Sequence, residues 1–416
     1  MRRHAQTERA FQFSLEQSGD RVMISRNLRH LRVFRAVLEL RSLTQASART
    51  HVSQPAVTQA LSKLETQAGG PLFERSRQGV FATERGALLG TRVTRAFARI
   101  DPVLEALSPR LCLTASSSQL TALIAVVDTE NFTLAARQLG HAQPTVHRAI
   151  TQLEGEAGQQ LFERRHNGLV VSRAAAKLAQ AARLAFAELE QAEAELAEID
   201  GREVGRLVIG ALPMARSVLL PQAIAAFRAQ RPHQPILVVD GLYDDLLAGL
   251  RRGDVDLLLG ALRDPAPIRD VVQEPLFDDT LAMLARPGHP LLCAHALTAA
   301  DLAGYMWVVP RAGTPSRAQF DWFFAGLPGG EPKSVIEAGS ILFMRELLMR
   351  GDFLGCISAA QAEAEIANGA LLPLDVAGHW RNRPIGLTLR ADWIPTQAQN
   401  LLLSEIRTAA TAHRGV

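Results

Sequence analysis

The stretch LRVFRAVLELRSLTQASARTHVSQPAVTQALSKLETQAGGPLFERSRQGVFATERG, Leu31 to Gly86, returns 89 residues later as LTALIAVVDTENFTLAARQLGHAQPTVHRAITQLEGEAGQQLFERRHNGLVVSRAA, Leu120 to Ala175. The two align without a gap, and about a third of the paired positions are identical. Thr44 pairs with Thr133, Gln54-Pro55 with Gln143-Pro144, Leu64-Glu65 with Leu153-Glu154, and Leu72-Phe73-Glu74-Arg75 with Leu161-Phe162-Glu163-Arg164. An ungapped match of this length is not chance. A unit too long for a solenoid repeat and present twice reads as two copies of one small domain.

Each copy carries the same order of elements. Asn27 can cap a helix whose apolar positions Leu28, Leu31, Phe34, Val37 and Leu38 recur at helical spacing up to about Arg41. Thr44 to Thr50 predicts a second, short helix, and His51-Val52-Ser53 a turn. Pro55 then falls in the first turn of a third helix capped by Ser53, where a missing N–H costs nothing. In that helix Val57, Leu61, Leu64 and Ala68 form one apolar stripe, which leaves Gln54, Thr58, Gln59, Ser62 and Lys63 outward. The second copy buries Val146, Ile150, Leu153 and Ala157 and turns Gln143, Thr145, His147, Arg148, Thr151 and Gln152 outward. A Gly-centred turn between short apolar runs follows each Leu-Phe-Glu-Arg and predicts a β wing.

Two short helices, a turn and a polar-faced third helix describe a helix-turn-helix whose third helix can enter a major groove. Gln can bond adenine and Arg guanine bidentately, while Ser, Thr and Lys serve bases or phosphates. The DNA-contacting set read this way is Ser53, Gln54, Thr58, Gln59, Lys63 and Arg75 in the first copy, and Gln143, Thr145, His147, Arg148 and Arg164 in the second. Charge agrees: Met1 to Arg110 holds 18 Lys/Arg against 9 Asp/Glu, or +9, and the remainder 27 against 33, or −6. A basic head on an acidic body is the footprint of a nucleic-acid binder.

The run Leu31-x-x-Phe34-x-Ala36-Val37, Leu43-Thr44-x-Ala46, Ser53-Gln54-Pro55-Ala56-Val57, Leu64-Glu65, and Leu72-Phe73-Glu74-Arg75 through Thr83-Glu84-x-Gly86 resembles the winged helix-turn-helix of LysR-type bacterial transcriptional regulators. The second copy departs from it at Ala142, where the family usually has Ser, and at Ser172-Arg173-Ala174-Ala175, which replaces Thr-Glu-x-Gly. Family members ordinarily carry one such module, so the tandem is itself a departure. The resemblance covers nearly the whole chain from Met23, which is an alternative start.

The expected organisation is a flexible N-terminal extension over residues 1–26, a first winged helix-turn-helix over 27–86, a connecting helix over 87–110 and a second winged helix-turn-helix over 116–175. A linker helix over 174–200 and an effector domain over 205–416 follow. Ala174 to Asp200 lacks Gly and Pro, and Leu178, Ala182, Ala185, Leu189, Ala192, Leu196 and Ile199 make a heptad seam that demands a partner helix. The resemblance implies that this is the dimerisation helix. The helix after the first copy, with Leu89, Val93, Phe97, Ile100, Leu104 and Leu107, is interrupted near Pro102 and stays open between partner helix and local core.

From Arg206 short apolar runs (Leu207 to Gly210, Ile236 to Val239, Leu257 to Leu259, Leu281 to Leu284, Trp307 to Val309, Leu354 to Ile357, Ile385 to Leu389) alternate with helical stretches, the pattern of βαβ units around largely parallel sheets. This resembles the α/β two-lobed, periplasmic-binding-protein-like effector domain of LysR-type regulators, with lobe I over 205–287 and 377–416 and lobe II over 291–376. Ligands of such sheets bind at helix N-termini beyond the strand ends. Met214, Arg216 and Ser217 at the first junction, Thr314 in Gly313-Thr314-Pro315, and Ser340 are the effector-binding candidates. GALPMARSVLLP (from Gly210) and RPIGLTLRADW (from Arg383) are most similar to the subgroup of galactose-binding-protein and protocatechuate-type regulators.

Composition excludes other classes. Cys112, Cys293 and Cys356 lie far apart without metal-ligand neighbours, so free thiols are expected, with no zinc module, disulfide framework or cofactor. No P-loop, dinucleotide fingerprint, G-x-S-x-G or H-E-x-x-H occurs, so an enzyme is not expected. No membrane span or signal peptide is read, and a cytoplasmic protein is expected. Expected partners are double-stranded DNA, a small-molecule effector, further copies of the chain as a dimer or tetramer, and RNA polymerase. A ligand-binding or transport-associated module, or an architectural DNA binder without effector, are the competing readings.

Overall fold

The computed structural model describes residues 26–413 apart from 167, 264–267, 326–331, 333 and 378–379. The extension expected over residues 1–26 therefore lies, but for Arg26, outside the described residues. The chain divides into two compact units, Met1–Gly205 and Arg206–Val416.

The first unit contains both repeats. Helix α1 (Leu28–Leu40) begins where the Asn27 side chain accepts the amides of Arg29 and His30, and α2 (Leu43–Thr50) where Ser42 accepts that of Gln45. Helix α3 (Gln54–Gln67) starts at Ser53, whose hydroxyl accepts the Ala56 amide, with Pro55 in the first turn. Strands β1 (Phe73–Ser76) and β2 (Gly79–Ala82) form the antiparallel wing. Helix α4 (Glu84–Leu107) follows, and a short helix α5 (Leu111–Thr114) leads to the second copy. That copy comprises α6 (Ser117–Thr129), α7 (Phe132–Gln138), α8 (Gln143–Ala157), the wing β3 (Phe162–Arg165) with β4 (Gly168–Val171), and α9 (Arg173–Ile199).

Backbone geometry repeats with the sequence. Left-handed residues fall at equivalent positions: Arg41 and Glu130, His51 and Gly140, Gly69 and Gly158, and the wing glycines Gly79 and Gly168. At the wing tips φ is 136° and 124°, which a side chain rarely adopts, so glycine is required in both copies. His51 holds with an ordinary side chain the conformation for which the second copy uses Gly140. The Leu-Glu pair is also explained. Glu65 accepts the Leu72 amide at 3.0 Å, and Glu154 accepts those of Leu161 at 2.7 Å and Phe162 at 3.1 Å, which fastens each third helix to its wing.

The two long helices pack on each other. The seam residues Leu178, Ala182, Ala185, Leu189, Ala192 and Leu196 are buried in one core with Leu89, Val93, Phe97, Ile100 and Leu104. The expectation that this seam awaits a second chain is thus corrected: α4 of the same chain fills it, and Ile199, read as its last member, is exposed. Nor does Pro102 interrupt α4, which runs through it to Leu107. Arg85 pairs with Asp200, Arg92 lies against Glu188, Gln191 and Glu195, and Arg99 approaches Glu188 at 3.7 Å. The two helices therefore run antiparallel.

The second unit has two mixed five-stranded sheets. Lobe I orders β6 (Ile236–Val239), β5 (Leu207–Ala211), β7 (Leu257–Ala261), β14 (Arg383–Arg390) and β8 (Val271–Asp279), with β14 antiparallel to both neighbours. Helices α10 (Leu219–Gln230) and α16 (Gln397–His413) contact each other, and α11 (Tyr243–Arg252) packs with Leu258 and Val271. Lobe II orders β11 (Ser334–Glu337), β10 (Met306–Val309), β12 (Phe353–Ser358), β9 (Leu281–Ala285) and β13 (Leu372–Pro373). It carries helices α12 (Ala299–Leu302), α13 (Pro315–Phe324), α14 (Ile341–Leu348) and α15 (Ala359–Ala367). The lobe boundary expected at 287 moves back to Thr280, because β9 pairs with β12 and β13 and so belongs to lobe II.

Candidate nucleic-acid interface and effector cleft

The third helices present the outward sets that the spacing predicts. Ser53, Gln54, Thr58, Gln59, Lys63 and Arg75 are all exposed, as are Gln143, Thr145, His147, Arg148 and Arg164. In the second copy Gln143, His147, Arg148 and Arg164 line one concave surface together with Pro144, Thr151 and Gln152, so α8 and its wing share a face. Among the described residues Gln59, Arg75, Arg148 and Arg164 make no hydrogen bond or ion pair with the protein. Their heads remain available to base edges or phosphates.

Other members of the set are partly committed. The Ser53 hydroxyl caps α3, and the Thr58 hydroxyl donates to the Gln54 carbonyl at 3.2 Å. His147 stacks at a tilt on Phe132, 5.3 Å between ring centroids, with Nδ1 3.4 Å from the Thr151 hydroxyl. Ala142 gives α8 no side-chain cap, the physical consequence of lacking the hydroxyl that Ser53 supplies. In α1 His30 is half-buried. Burial, then the charges of Lys63 and Arg29, push its pKa below the ordinary histidine value.

The candidate effector cleft has less in common with its expectation. Met214 is buried in the 3-10 turn Pro213–Arg216 after β5, and this turn packs on α15 of lobe II. Arg216 is exposed and pairs with Asp240 at 3.3 Å. Thr314 caps α13 by accepting the Arg317 amide at 3.2 Å and donates to the Arg311 carbonyl at 2.8 Å, so its hydroxyl is already used twice. Ser340 caps α14 by accepting the Phe343 amide at 3.3 Å. No hydrogen bond or ion pair among the described residues joins Arg216 or Ser217 to Thr314 or Ser340.

Sequence reasoning missed the polar cluster where the lobes meet. Buried Asp279, at the end of β8, accepts from the Ser358 hydroxyl at 2.7 Å and the Ala360 amide at 3.1 Å, and pairs with Arg383 at the start of β14. Arg383 also donates to Ser316 of α13, and its Nε is buried without a partner. The cluster ties β8 and β14 to two lobe II helices. Nothing in its spacing announces it, since its members come from four segments. The thiols are free: burial pushes those of Cys112 and Cys356 up in pKa, and Cys293 is exposed. No described helix is long and apolar enough to cross a membrane, and no metal-ligating cluster occurs among the described residues.

A winged helix-turn-helix with an exposed polar third-helix face, on a chain that also carries a two-lobed α/β domain, defines the class of DNA-binding regulators with an effector-binding domain. The bacterial regulatory helix-turn-helix pattern of the lysR family matches residues 28–87 and again 117–176, and the LysR substrate binding domain matches 200–411. The chain belongs to the LysR family of transcriptional regulators. It is 36% identical over 393 residues to the HTH-type transcriptional regulator GalR of Pseudomonas putida, covering 92% of this chain and 98% of that protein. It is 31% identical over 278 residues to PcaQ of Agrobacterium fabrum, covering 66% and 89%. Full-length OxyR from Pseudomonas aeruginosa (TM-score 0.51, 21% identity, 70% of this chain and 97% of that one) shares the fold. So does full-length LysG from Corynebacterium glutamicum, solved with bound effector Arg (0.50, 20%, 71% and 98%). The protein is thus a DNA-binding transcriptional regulator with an effector-binding domain.

Proposed function

We propose that both winged modules grip DNA and that a small molecule held in the cleft of the second unit controls this grip. The observation that carries the first half is the shared face of Gln143, His147, Arg148 and Arg164, matched in the first copy by exposed Gln59, Lys63 and Arg75. A duplicated module that had lost its role would keep its core and let this face decay. The Pseudomonas putida relative aligns with 92% of this chain and along 98% of its own length. The chain performs no catalysis in this reading, works in the cytoplasm, and meets RNA polymerase and further copies of itself through surfaces other than the α4–α9 seam.

The effector is a small anionic or polyhydroxylated metabolite, an aromatic acid before a sugar. Arg216 and Ser217 supply a cation and a hydroxyl at the first strand-to-helix junction, and the half-buried Leu212 supplies apolar surface for a ring face. Arg216 must leave Asp240 to take a carboxylate, an exchange of one exposed partner for another. Thermal shift of the full chain against aromatic carboxylates and sugars tests this. A ligand at about 100 times its dissociation constant adds roughly 2.7 kcal/mol of stability, and Arg216→Ala removes a carboxylate's shift. A full-sized shift in that variant excludes Arg216 as the anchor, and no shift with any compound favours an architectural DNA binder.

A further inference from the structure

The two long helices occupy equivalent places in the repeat, and their contact is antiparallel. Adding 89 carries Leu89 of α4 onto Leu178 of α9, Phe97 onto Phe186, and Leu107 onto Leu196. The midpoint of the contact, read from the pairs Arg85 with Asp200 and Arg92 with Gln191, falls at Phe97 and Phe186 themselves. Equivalent helices that cross antiparallel at equivalent residues are related by a local two-fold axis. Each module is fastened to its own long helix, the first by Arg32 on Asp101 at 2.6 Å and the second by Arg183 on Asp128. One chain therefore holds its two DNA-facing modules as a pair of the kind that two symmetric subunits would make.

The pair is not symmetric in charge. Arg92, 1% exposed, meets Glu188, 5% exposed, at 3.1 Å, and Arg95 at 2.9 Å and Arg99 at 3.7 Å converge on the same carboxylate. Glu188 is the repeat equivalent of Arg99. If α4 paired with α4 of another chain in this register, Arg99 would stand where Glu188 does, and the buried Arg92 would face a like charge. If α9 paired with another α9, Glu188 would lose all three cations. Either alternative buries unpaired charge, so the heterotypic contact within one chain is the favoured one.

The reading faces are also unlike. Gln59 is matched by Arg148, Thr58 by His147, Lys63 by Gln152 and Ala56 by Thr145. Gln suits adenine and Arg suits guanine, so the two faces select different bases. Resting on the reading that both modules grip DNA, we infer that the recognition unit of one chain is a pair of unlike half-sites rather than a palindrome, with the local two-fold of the modules set on the dyad of the duplex backbone. Chains that associate further would repeat or invert this unlike pair as a block.

Selection of the full chain on a random-sequence duplex library, repeated with Gln59→Ala and Arg148→Ala, tests the inference. The expected product is two unlike half-sites, bound about tenfold or more tighter than a palindrome built from either half. Gln59→Ala is expected to blur one half and Arg148→Ala the other. A palindrome of like halves in which each variant blurs both halves overturns the inference and leaves two-module binding intact. A single half-site, indifferent to one of the two variants, overturns two-module binding itself and the inference with it.

Discussion

The Glu188 carboxylate lies 3.1 Å from the Arg92 guanidinium, and both side chains are buried where the long helices of the two repeats cross. Glu195 and Gln191 complete the shell around Arg92. Charges taken out of water this far are stabilising only while they are matched.

Removing one partner is therefore expected to cost more than removing both. Glu188→Ala leaves Arg92 short of a counter-ion and should lower the stability of the first unit by about 3 to 5 kcal/mol. Replacing Arg92 and Glu188 together by Met and Leu should recover part of that loss, the rest staying with Glu195, Arg95 and Arg99, whose partners are gone. Urea unfolding of the single and double variants reads the difference directly, and an equally unstable double variant would show that packing, not charge, governs the crossing.

The seam belongs to one chain, so damage to it should be unimolecular. Leu189 is 1% exposed, and Leu189→Glu places a charge in the core of the α4–α9 contact. A loss of at least about 3 kcal/mol is expected. The melting temperature of the variant should fall by the same amount at all protein concentrations, whereas a seam between two chains would make that fall grow on dilution.

Stability of the first module should fall with acid before most carboxylates titrate. The folded His30 pKa is depressed by burial and by Lys63 and Arg29, so the folded module resists protonation that the unfolded chain accepts. Above the ordinary histidine value of about 6.5 both forms are neutral and stability is full; it is lost as pH falls from there through the folded value. His30→Gln should flatten the melting temperature between pH 7 and 5.5, and an NMR titration of His30 at or above 6.5 would contradict the depression.

The sequence was most informative where local pattern and chemistry coincide. Asn27, Ser53 and Pro55 mark helix starts, Gly79 and Gly168 mark wing turns, and the apolar stripes of α3 and α8 define their outward faces, so which residues these helices expose was legible in full. A heptad demands a partner but does not say from which chain. Only the opposed charges, Arg92, Arg95 and Arg99 against Glu188 and Glu195, assign it, and they become readable once the two repeats are superposed. Strand β8 escaped notice because Pro275 interrupts its pattern, which its edge position in the sheet tolerates. The Asp279–Arg383 cluster is a product of tertiary folding, and Thr314, chosen for its hydroxyl, spends it on a helix cap.

The two modules can be weighed on DNA separately by their salt dependence. Each phosphate neutralised by a cation contributes about 0.9 to the slope of log affinity against log salt. Lys63 in the first module and Arg164 in the second are exposed cations, each beside a reading face. Fluorescence anisotropy of the full chain on its selected duplex, titrated with salt, is expected to lose about one unit of slope with Lys63→Ala, about one with Arg164→Ala, and about two with both. A slope that responds to one of these variants and ignores the other would show that only one module sits on the DNA.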